Sequence, residues 1–199
     1  MNFFNLILLS IWTSSSFISL NAFTLIIQKG NIVDAPTEAI VNAANKELKG
    51  LAGVCGAIFN AAGWDDLQKA CNRYNGCPTG EARITDSFNL KYQGNKTIQS
   101  IIHAVGPDCN SIKDTKEQDR LLKNAYKNSL LLADQKKIRS VAFPFISSAI
   151  YAFPKERAAR IALETIDAYA KLMPTHIETV HIVLFSQEDY ELFLKLYKA

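Results

Sequence analysis

Apolar residues recur along this chain with two periods, and together these predict strands alternating with helices. Short apolar runs that end at glycine, proline or polar residues indicate strands at residues 23–28, 38–41, 83–85, 97–103, 140–144 and 179–185. Apolar positions three and four residues apart indicate helices at residues 54–62, 64–74, 116–135, 155–171 and 187–197. This alternation predicts an α/β sandwich, a sheet with helices on both faces.

One loop after a predicted strand has the features of an anion site. The strand at 38–41 ends at two asparagines, Asn42 and Asn45, and residues 50–56 then hold three glycines before a helix begins. Glycine lets the main chain approach a ligand closely, and the N–H groups at a helix start favour an anion. The loop matches neither the dinucleotide fingerprint nor the P-loop pattern. Ligands of such sheets bind at the carboxyl ends of strands, where this loop and residues 145–153 would both lie.

Composition narrows the class of protein. The 199 residues, 48% hydrophobic and 21% charged, are typical of one globular domain. A net charge of +3 gives no electrostatic reason to expect nucleic acid as a partner. The four cysteines include no Cys-x-x-Cys pair, so we expect no metal site, and scattered free thiols are favoured over two disulfides. No cofactor is implied.

The first 22 residues have the length and the apolar stretch of a secretory signal peptide that ends near Ala22. The absence of an early Lys or Arg, together with Leu20 near the cleavage point, argues against it, and an N-terminal extension or extra strand is the alternative. The apolar run is too short and too often interrupted for a membrane span. A signal peptide predicts a secreted or periplasmic protein, and otherwise a cytoplasmic one. The domain itself is expected at residues 23–199.

Five short motifs follow one another along the chain, at residues 30–32, 41–56, 76–85, 102–107 and 142–154. In this order they resemble the motifs of the macro domain, the ADP-ribose-binding module, over about residues 23–197. The resemblance implies a three-layer α/β/α sandwich with a mixed central sheet. It also implies ADP-ribose or an ADP-ribosylated protein as the ligand.

For the adenine of that ligand, the resemblance implies Asn31, Ile32 and Phe185. Asn31 stands where the family has aspartate, and its amide oxygen can accept a hydrogen bond from the adenine amine without the strengthening charge. A turn residue after Gly30 is the equal alternative for Asn31. Phe185 would stack on the base, and a core phenylalanine is its alternative.

For the pyrophosphate, the resemblance implies main-chain N–H donors from two loops, at residues 53–56 and 147–151. The remaining ligand residues that it assigns are Ala43, Asn45, Gly53, Val54, Cys55, Gly56, Ser147, Ser148, Ala149, Ile150 and Tyr151. Ala149 and Ala152 stand where glycine is usual, and alanine costs roughly 1–2 kcal/mol wherever the main chain must be left-handed. We therefore expect the second loop either to keep negative φ angles or to bind phosphate less well.

The distal ribose of the ligand is where the resemblance implies chemistry. Asn45 matches the asparagine that contacts this sugar and is the predicted catalytic residue, while Tyr151 would flank the same sugar. Many hydrolytic members have an aspartate at the position of Cys55. Because a thiol is a poor base at neutral pH, we expect Cys55 to be a small buried loop residue.

Three functions stay open at this point. The favoured one is hydrolysis, which removes ADP-ribose from acidic side chains or the acetyl group from O-acetyl-ADP-ribose, with water activated by the ligand's own pyrophosphate. The second is a reader that binds ADP-ribose without turnover, which suits the missing aspartate. The third is a degenerate module with another nucleotide ligand or none, which suits Asn31, Ala149 and Ala152.

Overall fold

The computed structural model describes residues 16–19, 23–90, 98–172 and 175–198. Within these ranges seven strands form one sheet in the order β1–β2–β7–β6–β3–β5–β4. The strands are β1 (Ser16–Ser19), β2 (Thr24–Lys29), β3 (Ala39–Ala43), β4 (Ala82–Asp86), β5 (Ser100–Ala104), β6 (Ser140–Phe143) and β7 (Thr179–Leu184).

The sheet is mixed in direction. Its five inner strands, β2, β7, β6, β3 and β5, are parallel to one another. The two outer strands are antiparallel to their neighbours, β1 to β2 and β4 to β5. The five parallel strands therefore all finish at one end of the sheet, which we name the carboxyl edge and where ligands of such sheets bind.

Helices cover both faces of the sheet. The first face carries α1 (Gly53–Ala62) and α2 (Trp64–Cys71), and the second carries α3 (Thr115–Gln135), α4 (Lys155–Leu172) and α5 (Gln187–Lys198). Successive strand residues enter opposite cores, because side chains alternate across a sheet: Ile40 packs with α1 and α2, and Val41 with the other three helices. The expected three-layer α/β/α sandwich with a mixed sheet is confirmed.

The described helices and strands agree closely with those predicted from the apolar pattern, and the N-terminal segment is where the two differ. Residues 16–19, inside the predicted signal peptide of residues 1–22, form β1 against β2. The rest of that segment, like residue 97 of the predicted fourth strand, lies outside the described residues, so the signal peptide and secretion stay predictions. None of the helices in the described ranges is long and apolar enough to cross a membrane.

Two histidines lie buried within the sheet. His103 of β5 is 0% exposed, and its Nδ1 lies 3.1 Å from Asn42 Nδ2 and its Nε2 3.0 Å from Thr85 Oγ1. His181 of β7 is also buried, with Nδ1 3.3 Å from Gln28 Oε1. Burial lowers the pKa of both rings from 6.5 to about 4, so both are neutral at pH 7. Their role is structural.

These histidines predict a pH dependence of stability. Between pH 6.5 and about 4, His103 and His181 bind protons in the unfolded chain but not in the folded chain. The free energy of unfolding should therefore fall as pH is lowered. The loss is on the order of 3 kcal/mol per histidine. Urea unfolding at several pH values measures it, and His181→Gln should give a shallower dependence. An equal dependence in that variant would contradict the assignment to His181.

Candidate functional site

Three loops meet at the carboxyl edge. The strands β6, β3 and β5 are hydrogen-bonded neighbours in that order. Residues 44–52 follow β3 and form what we name the first loop, residues 144–154 follow β6 and form the second loop, and residues 105–114 follow β5 and form the β5 loop. Since parallel neighbours finish side by side, the first loop lies between the other two.

The first loop is held in place by a side chain of α2 and by hydrogen bonds within the loop. Gln68 of α2 accepts a hydrogen bond from Gly50 N at 2.9 Å and donates one to Leu48 O at 3.2 Å. Asn45 Nδ2 donates to Lys49 O at 2.7 Å, and Asn45 Oδ1 accepts from Lys49 N at 3.1 Å. The loop leads directly into α1, which has no side-chain cap. The first N–H groups of α1 thus point toward the site without an intrahelical partner.

The second loop is anchored to helices of the other face. Phe145 packs edge to face on Phe193 of α5, with ring centroids 4.9 Å apart. The Tyr126 hydroxyl on α3 accepts a hydrogen bond from Ile146 N at 3.3 Å. A main-chain N–H of the β5 loop donates to Tyr151 O at 2.9 Å. The second loop is therefore fixed both to the helix layer and to the neighbouring loop.

Between the first and second loops lies a cleft of about 140 Å³, which we name the inner cleft. Nine of the predicted ligand residues line it: Ala43, Asn45, Gly53, Val54, Cys55, Ser147, Ala149, Ile150 and Tyr151. The sequence analysis missed six others that line it: Ala44, Leu51, Ala52, Gly106, Phe145 and Ile146. Small-molecule pockets usually measure about 300–1,000 Å³, so the inner cleft encloses only part of a nucleotide-sized ligand.

Gly106 is the most informative of the missed residues. A Cβ at this position would lie 2.1 Å from Ser147 Oγ and 2.5 Å from Ile146 Cγ2, so only glycine lets the second loop approach β5 this closely. The Gly-Pro pair after a predicted strand was a signal for this position. Ser147 itself is buried, and its Oγ has no hydrogen-bond partner within the described ranges. A buried hydroxyl without a partner costs free energy.

Two predicted ligand residues, one on α1 and one on the second loop, do not line the inner cleft. A Cβ at Gly56 would meet Leu51 O at 2.4 Å, so this glycine lets the first loop lie against α1. Ser148 Oγ donates to Phe145 O at 2.9 Å and so stabilises the second loop. Both residues shape the site from outside the cleft.

The residues predicted for adenine lie further along the carboxyl edge, after β2 and β7. Asn31 caps a short 3₁₀ helix, and its Oδ1 accepts from Val33 N at 3.4 Å, as the turn alternative expects. The Ile32 side chain is buried in the core, so only its main chain can face a ligand. Phe185 is 83% exposed, which excludes the core alternative and leaves its ring accessible for stacking.

Cys55 is buried and hydrogen-bonded, as the sequence analysis expects. Its Sγ donates to Lys49 O at 3.7 Å and accepts from Asn42 Nδ2 at 3.6 Å. All four cysteines are free, and burial raises the pKa of Cys71 to about 12 and that of Cys77 to about 11. Across the described residues, no group of His, Cys, Asp and Glu could hold a metal ion.

Comparison with known proteins assigns the family. A family model, Macro domain, matches residues 41–162. A macro domain-containing protein of Caldanaerobacter subterraneus subsp. tengcongensis is 46% identical over 173 residues, which are 85% of this chain and 93% of the relative. The O-acetyl-ADP-ribose deacetylase 1 of Pantoea vagans is 43% identical over 171 residues, 84% of this chain and 95% of the relative.

Solved structures agree with these relatives. The Oceanobacillus iheyensis macrodomain with ADP superimposes with a TM-score of 0.84 at 40% identity, covering 93% of this chain and 95% of that one. A variant of the same macrodomain has been solved with ADPR. This chain therefore belongs to the macro domain family.

The second loop is strained at one of its two unusual alanines. Ala152 has a φ of 51°, in the left-handed region, and Ser147 of the same loop has a φ of 64°. Ala149 is not among the residues with positive φ. Of the two alternatives expected for this loop, negative φ angles hold at Ala149 and fail at Ala152, and weaker phosphate binding stays a prediction.

Replacing Ala152 by glycine should stabilise the protein. Relief of the left-handed strain, less the added entropy of the unfolded chain, leaves a gain of about 1 kcal/mol. Urea unfolding at neutral pH measures it. Ala149→Gly is the matched control and should instead destabilise by about 0.5–1 kcal/mol. The assignment of strain would be contradicted by an Ala152→Gly variant no more stable than the parent.

Proposed function

We propose that this macro domain binds ADP-ribose along its carboxyl edge and hydrolyses esters of ADP-ribose. The observation that carries the proposal is the inner cleft, where the first residues of α1, whose main-chain N–H groups lack intrahelical partners, and residues of the second loop line one narrow groove. Such donors bind a diphosphate by its oxygens and depend little on the side chains of the loop. The complexes of the Oceanobacillus macrodomain with ADP and ADPR support this ligand.

The strand order supports the same ligand, because it places the candidate residues in the order of the ligand's parts. Asn31 and Phe185 follow β2 and β7, and the inner cleft follows β6 and β3. With adjacent strands about 4.8 Å apart, β2 and β3 are separated by roughly 14 Å, which suits a ligand that lies extended along the carboxyl edge. Adenine then lies on Phe185, the diphosphate in the inner cleft, and the distal ribose between Asn45 and Tyr151.

Hydrolysis needs a water molecule and no cofactor. Water adds across the ester bond between the ribose and a carboxyl group, and ADP-ribose, a carboxylate and a proton are released. Asn45 can hold the ribose, because its amide can make two donor and two acceptor bonds and the bonds to Lys49 use one of each. The Cys55 thiol is hydrogen-bonded to Asn42 and Lys49. We therefore assign the orientation of the water to the ligand's own pyrophosphate and not to Cys55.

A reader that binds without hydrolysis is the second candidate. The buried Cys55 in place of a carboxylate, together with the strained Ala152 in the second loop, favours it. Incubation with a protein that carries mono-ADP-ribose on Glu or Asp separates the two functions. A hydrolase removes the label, whereas a reader binds the labelled protein and leaves it intact. The Pantoea relative named as a deacetylase supports the first.

Binding itself is tested by calorimetric titration with ADP-ribose. We expect heat of binding from the wild-type chain, and a Gly106→Ala variant should bind more weakly because the new Cβ would displace Ser147 and Ile146 at the cleft. Thermal unfolding of the same variant is the control, because weaker binding by a folded Gly106→Ala chain reports on the cleft itself. If millimolar ADP-ribose gave no heat with the wild-type chain, both candidate functions would be refuted.

Removal of the Asn45 amide should abolish turnover. Asn45→Ala loses the group assigned to the ribose, and the expected fall in kcat is on the order of a hundredfold or more, as for other misplaced substrates. Label release from the ADP-ribosylated protein measures kcat, and titration of the same variant with ADP-ribose reports whether the first loop still binds. A variant with full activity would show that the catalytic assignment is wrong.

A further inference from the structure

A second cavity lies beside β4, at the edge of the sheet and away from the inner cleft. Its volume is about 610 Å³, and we name it the edge pocket. It shares no lining residue with the inner cleft. The edge pocket reaches Ser100, where β5 begins, whereas the inner cleft lies beyond Ala104, where β5 ends. Its size falls in the usual range of small-molecule pockets, about 300–1,000 Å³.

Aromatic side chains line part of the edge pocket. Tyr74 follows α2 and Phe88 follows β4, and both are half-buried. The Tyr74 hydroxyl donates to Ile84 O at 2.5 Å, which fixes this ring against β4. Phe88 has a φ of 53°, in the left-handed region, so the surrounding structure holds its main chain in an unfavourable conformation. The two rings offer flat apolar surface on which a ring of a ligand can stack.

Exposed charged side chains line the same pocket, and cations outnumber anions. The cations are Lys69 of α2, Arg73 just after α2 and Lys136 at the end of α3, and the anions are Asp66 and Asp86. Within the described ranges none of these five forms an ion pair with another side chain. Because α2 and α3 cover opposite faces of the sheet, the cations approach one cavity from both helix layers.

The anion that suits these cations is a phosphate group. The Arg73 guanidinium can bind two phosphate oxygens through its planar fork, and the lysines add point charges. Ser100 also lines the pocket, and its hydroxyl makes no hydrogen bond to the part of the protein that the structure describes, so it can serve as a further donor. The two aspartates can accept from hydroxyl or amine groups on the rest of the ligand.

Addition of a polypeptide strand at β4 is disfavoured, although β4 is an edge strand. The first N–H of the β5 loop donates to Glu81 O at 3.1 Å, and pairing alternates along an antiparallel strand, so Ala82 and Ile84 direct their main-chain groups away from β5. Arg83 Nη1 donates to Ala82 O at 2.8 Å, and the Tyr74 hydroxyl donates to Ile84 O. An added strand would have to displace both side chains, which protects this edge.

We infer that the edge pocket is a second ligand site, which binds a small cyclic molecule that carries a phosphate monoester. Its phosphate lies among Lys69, Arg73 and Lys136, and its ring lies against Tyr74 and Phe88. The inference goes beyond the proposed binding of ADP-ribose and does not rest on it.

Calorimetric titration with 1-naphthyl phosphate tests the inference, because this probe joins a flat ring to a phosphate monoester. We expect the wild-type chain to bind it. The double variant Lys69→Ala, Arg73→Ala should bind about tenfold or more weakly, through loss of charge-assisted hydrogen bonds to the phosphate. The matched control is Lys123→Ala, Lys127→Ala, which removes two exposed cations at the same spacing from α3, outside the pocket, and should bind like the wild type.

Two further ligands separate the parts of the probe. Inorganic phosphate lacks the ring and 1-naphthol lacks the phosphate, so each should bind at least about tenfold more weakly than the probe. Thermal unfolding checks that the variants are folded. Lys136→Ala removes a cation from the other helix layer and should also weaken binding of the probe, so it replaces the double variant if that one does not fold.

Repeating the titration with saturating ADP-ribose locates the probe, whose Kd should stay unchanged because the edge pocket lies away from the carboxyl edge. Three results would each overturn the inference: no binding of millimolar probe, no difference between the two double variants, or loss of probe binding when ADP-ribose is present. If the chain did not bind ADP-ribose, the proposed function would fail, and the comparison of the two double variants would still decide the inference.

Discussion

The parallel pairing of β3 with both β5 and β6 is the constraint on which the site depends. Ala39 and Ile40 of β3 pair with Val141 and Ala142 of β6, and on the other side the whole of β3 pairs with β5. Because these three strands are parallel neighbours, they end at the same edge of the sheet. The three loops that follow them, although distant in sequence, therefore form one surface. The inner cleft lies between the first and second loops and is also lined by Gly106 of the β5 loop.

A series of buried polar side chains links the pairing of β3 with β5 to the start of α1 at the site. Asn42 Nδ2 lies 3.1 Å from His103 Nδ1, and His103 Nε2 lies 3.0 Å from Thr85 Oγ1. The series thus connects β3, β5 and β4 beneath the first loop. Asn42 also reaches the Cys55 Sγ at the start of α1. Because buried polar groups are costly unless paired, these contacts specify how α1 meets the sheet.

The sequence pattern predicts the regular elements well, since buried strands and amphipathic helices carry a local signal. The nine cleft residues that were predicted come instead from the resemblance to the macro domain. What it misses depends on distant neighbours. The reversed direction of β4 and the pairing of β1 have no local signature, and the role of Gly106 requires knowing that Ser147 comes close.

Backbone strain is concentrated at the site and is tolerated because the loops are held from several directions. Five described residues other than glycine have a positive φ, and three of them, Leu48, Ser147 and Ala152, lie in the two loops around the inner cleft. Each costs roughly 1–2 kcal/mol, which an unsupported loop would relieve by changing conformation. Gln68 holds the first loop, and Phe193 and Tyr126 hold the second. A cleft made of main chain can therefore keep its shape after glycines have been replaced, so the residue substitutions in the loops alter its energy more than its geometry.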